Sequence, residues 1–214
     1  MYLPSHFEET RPEVLHALLR SHPLATLVTQ TAQGLEANHI PLYVRLLADG
    51  SASLVGHVAR ANPIWRETDW SVPVLAVFQG PQHYISPGWY ATKQEHGKVV
   101  PTWNYAVVHA RGTLQVRDDA AWILQQMKEL TAQQESAMSH PWRVEDAPAD
   151  YTERLLAAVV GIEIPMVTLT GKWKVSQNQP PANQATVVQS LQQFASTHAT
   201  NDAAAMAALV SSKI

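Results

Sequence analysis

Three apolar runs separated by turn signals constrain the fold of this chain more than any other feature. They read LATLVTQ, LEANHIPLYVRLL and SASLVGHV, and the turn signals between them are Gln33-Gly34 and Asp49-Gly50. Runs rich in β-branched residues that alternate with such dipeptides are typical of strands joined by tight turns. The sequence therefore predicts an antiparallel meander in this part of the chain.

Further β segments and helices follow the meander. The apolar segment VPVLAVFQG predicts a central strand, VPTWNYAVVHARGTLQV predicts the longest strand, and GIEIPMVTLTGKWKVSQ returns to β structure. Capping signals and apolar periodicity predict helices that begin near Thr10, Asn62, Asp118 and Asp150, with a last helix around Val187 to Phe194. No repeat or long linker divides the chain. We expect a closed or nearly closed antiparallel barrel with helices at its ends.

Composition limits the partners of such a barrel. The 214 residues are 46% hydrophobic but only 15% charged, a low charge content that favours an oligomer. A net charge of -3 without a run of Lys or Arg disfavours direct binding of nucleic acid or of an anionic membrane. The N-terminus lacks the pattern of a secretory signal and no segment is apolar enough to span a membrane, so we expect a cytoplasmic protein.

Few of the usual catalytic groups are present in a usable pattern. Cysteine is absent, which excludes disulfides and thiolate chemistry. Ser86 and Ser176 do not lie in a nucleophile elbow, and no paired carboxylates suggest hydrolysis. The histidines of the β region have no tight ligand spacing, so we expect no metal site. They are His39, His57, His83, His96 and His109.

The segment GHVARANP is the best candidate for a phosphate site. It ends a predicted strand and places Arg60 just before Asn62, the N-cap of the next helix. Free N–H groups at a helix N-terminus and the planar guanidinium both suit phosphate oxygens. A surface arginine beside an ordinary helix cap explains the same residues equally well.

An aromatic segment could supply the wall of a ring-binding site. Trp89, Tyr90, Trp103 and Tyr105 lie close together in the sequence. On a strand, Trp103 and Tyr105 share one face and Asn104, which can donate and accept hydrogen bonds, points to the other. Such aromatic pairs are more often part of a core than of a cofactor site. The residues alone leave both interpretations open.

Three separated motifs resemble one known family. MYLPSHFEE, the central YISPGWY with VPTWNYAVVHARG, and the late GKWKVSQNQ are similar to those of the PaiB-type family of FMN-binding negative transcriptional regulators. The resemblance runs from Met1 to about Leu191. It implies an antiparallel split β-barrel with peripheral helices, of the mainly β or α+β class. The implied architecture is a single FMN-binding domain over residues 1–196, with its C-terminal helix, followed by an Ala-rich tail over 197–214.

The resemblance also implies a homodimer with FMN in the cleft between subunits. Arg60 and Asn62 fall where such barrels hold the phosphate, so the change Arg60→Ala is expected to weaken FMN binding. The segment with Asn38 and His39 would run beside the flavin ring. Candidates for the cofactor site or the dimer seam are Trp103, Asn104, Lys174, Ser176, Gln177 and Asn178.

The chain departs from the family pattern after the last motif. The family commonly continues with an arginine and then an acidic residue, whereas this chain has Gln179 and Asn183. We expect a missing salt bridge here, which leaves the barrel intact. Flavin affinity would fall if that arginine helps to hold an anion.

Three functional hypotheses remain open. The first is an FMN-binding regulator of gene expression that responds to redox state or to a ligand and acts indirectly, because the sequence shows no DNA-binding motif. The second is an FMN-dependent oxidoreductase or flavin reductase that acts on a small molecule, with a nicotinamide donor. The third is a haem-binding barrel with His39 or His57 as the axial ligand.

Overall fold

The computed structural model describes residues 1–46, 51–165 and 167–213. The strands are β1 (Glu8–Glu9), β2 (Leu24–Thr31), β3 (Gly34–Pro41), β4 (Tyr43–Leu46), β5 (Ala52–Ala59), β6 (Val74–Ile85), β7 (Thr102–Gly112), β8 (Gln115–Arg117), β9 (Val159–Ile164) and β10 (Thr168–Lys174). The helices are α1 (Pro12–Ser21), α2 (Ile64–Glu67), α3 (Lys93–His96), α4 (Ala120–Glu135), α5 (Ala149–Ala157), α6 (Pro181–His198) and α7 (Asn201–Ser211).

The chain divides into two compact units, which are described separately. The first unit contains Met1–Leu18, Gln79–Val108 and Thr170–Ile214. The second unit contains Leu19–Phe78 and His109–Leu169. The expectation of a single domain over residues 1–196 stays a prediction.

Antiparallel sheets with surrounding helices form the architecture, as the sequence predicts. In the second unit, β6, β2 and β3 are neighbours in one sheet, and the order in the other is β4-β5-β9-β8. Leu27 of β2 pairs with Asn38 on one side and Ala76 on the other. Neither sheet closes on itself, so the expectation of a closed barrel is wrong and that of a split barrel is right.

The predicted strand from Leu35 to Leu47 is in fact two strands in different sheets. β3 ends at Pro41, which has no N–H to continue a ladder, and the fully buried Leu42 separates it from β4. The chain crosses β5 where a Cβ on Gly56 would lie 2.7 Å from the Pro41 carbonyl oxygen. The Gln33-Gly34 turn is confirmed, with Gly34 at φ 118°. The predicted turn at Asp49-Gly50 lies outside the described residues.

A second predicted strand is also divided between sheets. β7 ends at Gly112, and the chain resumes as β8 beside β9. A Cβ on Gly112 would meet Ile164 Cγ2 at 2.5 Å, so a side chain at this passage would require Ile164 to move. The longest strand is therefore β6, with 12 residues, rather than β7 with 11.

In the first unit the strand order is β1-β10-β7-β6. Leu15 of α1 lies so close to β10 that a Cβ on Gly171 would collide with its side chain. The predicted helices α1, α2, α4, α5 and α6 are all confirmed. Residues 201–211, predicted only as part of an Ala-rich tail, form helix α7, which packs on α6 and buries Met206 and Val210. None of the described helices has the length and apolar content needed to cross a bilayer.

A carboxylate ties the two ends of the described chain together in the first unit. Glu9 accepts hydrogen bonds from Arg11 Nε at 2.8 Å and from Arg11 Nη2 at 2.6 Å. Lys213 Nζ lies 3.6 Å from Glu9 Oε2, and the Glu9 side chain is only 6% exposed. The hydrogen bond from Arg11 is the main cause that lowers the pKa of Glu9 to about 2.

This shift predicts how stability depends on pH. A lowered carboxyl pKa stabilises the fold fully above the unfolded value of about 4.3, and the contribution is lost as the pH falls towards 2. We expect Glu9→Gln to cost about 1 kcal/mol at pH 7 and to flatten the decline of stability between pH 4.5 and 2. Urea unfolding at a series of pH values measures both effects. The exposed neighbour supplies the control variant, Glu8→Gln, and an equal effect of the two changes would contradict the assignment.

Candidate functional site

In the second unit, Arg60 follows β5 and is held by a carboxylate. Its Nη1 and Nη2 atoms donate to the two carboxylate oxygens of Asp118 at 2.9 and 2.6 Å. Nε and Nη2 also donate to the carbonyl oxygens of Ala157 and Val159. The hydrogen bonds from Arg60 lower the pKa of Asp118. A phosphate could take both arms of this guanidinium only by displacing Asp118, so the phosphate role of Arg60 stays a prediction.

Asn62 links the start of α2 to β3. Its Oδ1 accepts a hydrogen bond from the backbone N–H of Ile64 at 3.0 Å. The N-cap of α2 is Pro63, so the predicted cap is off by one residue, although Asn62 still satisfies a free N–H of the first turn. Its Nδ2 donates to Asn38 Oδ1 at 2.9 Å. The structure therefore brings Asn38 and Asn62 together. His39 is exposed on the opposite face of β3 and does not join them.

Two buried polar atoms near this pair lack partners. Asn38 Nδ2 and Thr29 Oγ1 have no hydrogen bond to any residue that the structure describes. Thr29 lies on the face of β2 that it shares with Leu27, the cross-strand partner of Asn38. Unpaired buried donors are costly, and the carbonyl and ring-nitrogen acceptors of a flavin are suitable partners for them. The donor set of the second unit thus fits the polar edge of a flavin ring.

In the first unit, β7 carries the predicted aromatic and amide residues on opposite faces. Trp103 is 54% exposed, whereas Asn104 is buried and donates from Nδ2 to Ser176 Oγ at 2.8 Å. Asn104 therefore joins β7 to the segment after β10 and presents no free edge to a ring. Exposed Trp103, with Tyr84 edge-on at 6.2 Å, is the aromatic surface of this unit.

Two lysines of β10 lie beside these aromatic residues. Lys174 donates from Nζ to the Trp103 carbonyl oxygen at 2.7 Å and to the hydroxyl of Thr102. Burial is the main cause that lowers the pKa of Lys174, and the charge of Lys172 adds to it. Lys172 lies 5.3 Å from the ring centroid of Tyr105 and donates to the Tyr2 carbonyl oxygen. The sequence interpretation missed Lys172, although it follows the same alternation as Lys174.

The remaining motif residues shape a tight turn. Ser176 has a φ of 66°, in the left-handed region that few non-glycine residues adopt. Gln177 stabilises this turn, because its Oε1 accepts from the Val175 N–H at 2.7 Å and its Nε2 donates to the Trp173 carbonyl oxygen. Asn178 is exposed. Within the described first unit, Gln177 therefore orients backbone, and any contact that it makes with a cofactor stays a prediction.

A hydrogen-bonded amide pair follows the last motif. Asn183 Nδ2 donates to Gln179 Oε1 at 3.1 Å, and Asn183 is 2% exposed. Asn183 also exchanges hydrogen bonds with Thr92, whose N–H it accepts at 3.0 Å and whose hydroxyl accepts from it at 3.0 Å. A neutral hydrogen bond thus links positions 179 and 183, and the expected effect on flavin affinity stays a prediction.

The other aromatic and histidine residues have local partners. Trp89 packs beside His83 and Phe194, and Tyr90 is buried. His57 Nδ1 lies 2.7 Å from Gln126 Oε1. Across residues 1–46, 51–165 and 167–213, no three His, Asp or Glu side chains are grouped as metal ligands.

The sequence did not predict a polar network that lies under α4. Tyr43 donates to Glu129 at 2.6 Å, and Arg45 donates to the same carboxylate at 2.9 Å. Gln126, fully buried, lies between these groups and His57. Burial is the main cause that raises the pKa of Tyr43, so its hydroxyl keeps its proton as a donor. The apolar stripe of α4 gave no sign of this, because Gln126 reads as a solvent-facing residue.

Comparison with known families decides the assignment. A family model described as "Putative FMN-binding domain" matches residues 1–168. The chain belongs to this family. The resemblance to PaiB-type proteins is confirmed, and so is the prediction of FMN as the cofactor.

Individual relatives agree with the family match. The protein is 32% identical over 198 residues to the Bacillus subtilis protease synthase and sporulation protein PAI 2, covering 90% of this chain and 89% of the relative. It is 35% identical over 212 residues to the uncharacterized protein AN0679 of Emericella nidulans, covering 83% and 84% of the two chains. The FAD and heme binding protein of Mycobacterium smegmatis shares the fold, with a TM-score of 0.57, 21% identity and coverage of 78% and 73%.

The amide pair yields a prediction about stability. Asn183→Asp places a carboxylate at a buried position without a cation, and we expect it to cost about 3 kcal/mol or more. Gln179→Arg introduces the missing cation, so the double variant should be more stable than the sum of the single changes by about 0.5–3 kcal/mol. Urea unfolding of the four proteins in a double-mutant cycle measures this coupling. Additive effects would show that positions 179 and 183 do not interact.

Proposed function

We propose that this protein is a cytoplasmic, homodimeric FMN-binding regulator that responds to redox state or to a ligand and controls gene expression indirectly. The observation that carries the proposal is the match to PAI 2, which extends over nearly the whole of both chains. The name of that relative associates it with protease synthesis and sporulation. A flavin supplies the redox chemistry when it is bound.

Charge supports an indirect action on transcription. The net charge is -3, and the sequence has no run of Lys or Arg that could follow a phosphate backbone. Several arginines are also neutralised within the second unit, among them Arg60 by Asp118 and Arg117 by Glu163 at 2.7 Å. A regulator with this surface would act through a partner molecule or through a small-molecule product.

Exposed apolar side chains support the homodimer. Leu35 is 78% exposed on the edge strand β3 of the second unit, and Trp103 is 54% exposed in the first unit. Large exposed apolar groups are typical of surfaces that a partner covers. A second copy of the chain is the occupant that the family resemblance implies.

The residues assigned to the flavin have distinct tasks. The unpaired Nδ2 of Asn38 is available to a ring acceptor, and Asn62 holds the Asn38 side chain in place. Arg60 is assigned to the phosphate, which would displace Asp118 from the guanidinium. Lys174, whose pKa burial lowers, is the cation beside the exposed Trp103.

Paired variants test the phosphate assignment. Arg60→Ala should weaken FMN binding by about 1–3 kcal/mol because a charge-assisted contact is lost. Asp118→Ala breaks the same ion pair but frees the guanidinium, so FMN affinity should hold or rise. Quenching of flavin fluorescence gives both dissociation constants. Equal losses in the two variants would mean that Arg60 acts only through the fold.

The purified protein should retain about one flavin per subunit after added FMN is removed by gel filtration. A colourless protein would contradict the proposal.

Gel-shift titration over a range of salt should show no sequence-specific binding of DNA, and a specific shift would replace the indirect mechanism with a direct one.

An FMN-dependent oxidoreductase is the second candidate. The exposed Trp103 with Tyr84 edge-on forms an aromatic surface in the first unit on which a planar nicotinamide could stack. Aerobic consumption of NADH or NADPH by the FMN-loaded protein above the rate of free flavin would favour the enzyme. A rate equal to that of free flavin would favour the regulator.

A further inference from the structure

The second unit has an open groove at the junction of β7 and β8, away from Arg60 and Asn62. Its volume is about 450 Å³. The groove is lined by Pro73, Arg111, Gly112, Thr113, Gln115, Pro165 and Thr168. Prolines form its apolar part, and the other side chains are a guanidinium, two hydroxyls and an amide.

Arg111 brings an unneutralised positive charge to this groove. Its side chain is exposed, and it forms no ion pair with a carboxylate among the described residues. By contrast, Arg117 on β8 is neutralised by Glu163 at 2.7 Å. Burial is the main cause that lowers the pKa of His109 on β7, and the charge of Arg111 also contributes. Arg111 is the charged side chain among the described residues that line the groove.

Gln115 is oriented as a donor. Arg117 Nη2 donates to Gln115 Oε1 at 2.9 Å, which holds the amide oxygen on the side of Arg117. The Nε2 group of Gln115 is then the part of the amide left for a ligand. Thr113 and Thr168 add hydroxyls that have no hydrogen bond to another described side chain. The groove thus presents a cation and several neutral donors and contains no carboxylate.

The backbone fixes these groups in position. Gly112 lies against Ile164, where a Cβ would approach Cγ2 to 2.5 Å, so the passage from β7 to β8 follows a close path across β9. Arg111 and Thr113 flank this glycine, and Gln115 pairs with Glu163 in the sheet. Three of the polar groups are therefore attached to one short, tightly packed segment.

We propose that this groove binds the phosphoryl group of a small molecule. A planar guanidinium that donates in pairs, supported by hydroxyl and amide donors, is the arrangement that recognises phosphate oxygens. The prolines would contact the apolar part of the same molecule. The phosphoryl group could belong to a nicotinamide dinucleotide, to free phosphate, or to FMN if Arg60 does not hold the FMN phosphate, and these sources share the chemistry of the site.

Titration of inorganic phosphate into the full-length protein tests the site directly. Isothermal titration calorimetry should show binding that Arg111→Gln weakens about tenfold. Thr113→Val, which removes a hydroxyl and keeps the shape, should weaken it about threefold. Arg20→Gln removes the same charge from an exposed position on α1 outside the groove and should leave binding unchanged.

Binding of FMN, riboflavin and NADPH to wild type and to Arg111→Gln distinguishes the possible sources of the phosphoryl group. If it belongs to FMN, Arg111→Gln raises the dissociation constant of FMN about tenfold and leaves that of riboflavin, which lacks the phosphate, unchanged. If it belongs to a dinucleotide, the same variant weakens binding of NADPH and spares FMN. A change confined to inorganic phosphate would assign the groove to the free ion. Each of these results supports a phosphoryl site.

Other results would overturn the inference. Phosphate that binds wild type and Arg111→Gln equally, or that does not bind wild type at millimolar concentration, removes the site. An equal loss in Arg20→Gln would show that only net charge matters. A change of oligomeric mass in Arg111→Gln by light scattering would assign the guanidinium to a subunit contact. Wild-type binding of FMN, measured separately, shows whether the proposed flavin function stands or fails independently.

Discussion

The close approach of two backbone segments at Gly56 is the constraint on which the second unit depends. Only a residue without a side chain fits beneath Pro41 and Leu42, where the chain leaves one sheet and enters the other. This crossing places β3 and the end of β5 within reach of each other. Asn38 lies on β3 and Asn62 follows the end of β5, and a hydrogen bond joins their side chains. A larger residue at position 56 would collide with the Pro41 carbonyl oxygen.

Local signals in the sequence were sufficient for most of the individual elements. Gln33-Gly34 marked a turn, Pro12 marked the start of α1, and Asn62-Pro63 marked the start of α2. The same signals could not show that a continuous apolar run changes sheet at Leu42 or at Gly112, because hydrophobic periodicity is unchanged when a strand exchanges partners. The helix in the Ala-rich tail was missed for a similar reason. Alanine packs closely on α6 without giving a strong apolar stripe.

The candidate site was predictable as a set of residues but not as a set of contacts. Asn62 was identified from its position before Pro63, and its side chain does accept a hydrogen bond from the first turn of α2. The partner of Arg60 is Asp118, 58 residues further along the chain, and no local sequence pattern predicts such a pair. The buried role of Asn104 likewise depends on Ser176, which lies on a distant segment. Resemblance to a family identified important positions, whereas packing determined what each side chain touches.

The amide pair of Gln179 and Asn183 sets the physical character of the segment that ends the last motif. Two amides carry no net charge, so salt does not screen their hydrogen bond and no proton equilibrium weakens it near neutral pH. Asn183 is also hydrogen-bonded to Thr92, the residue just before α3. The junction between α6 and the central motif therefore keeps its strength across changes of ionic strength and acidity that would loosen a charged equivalent.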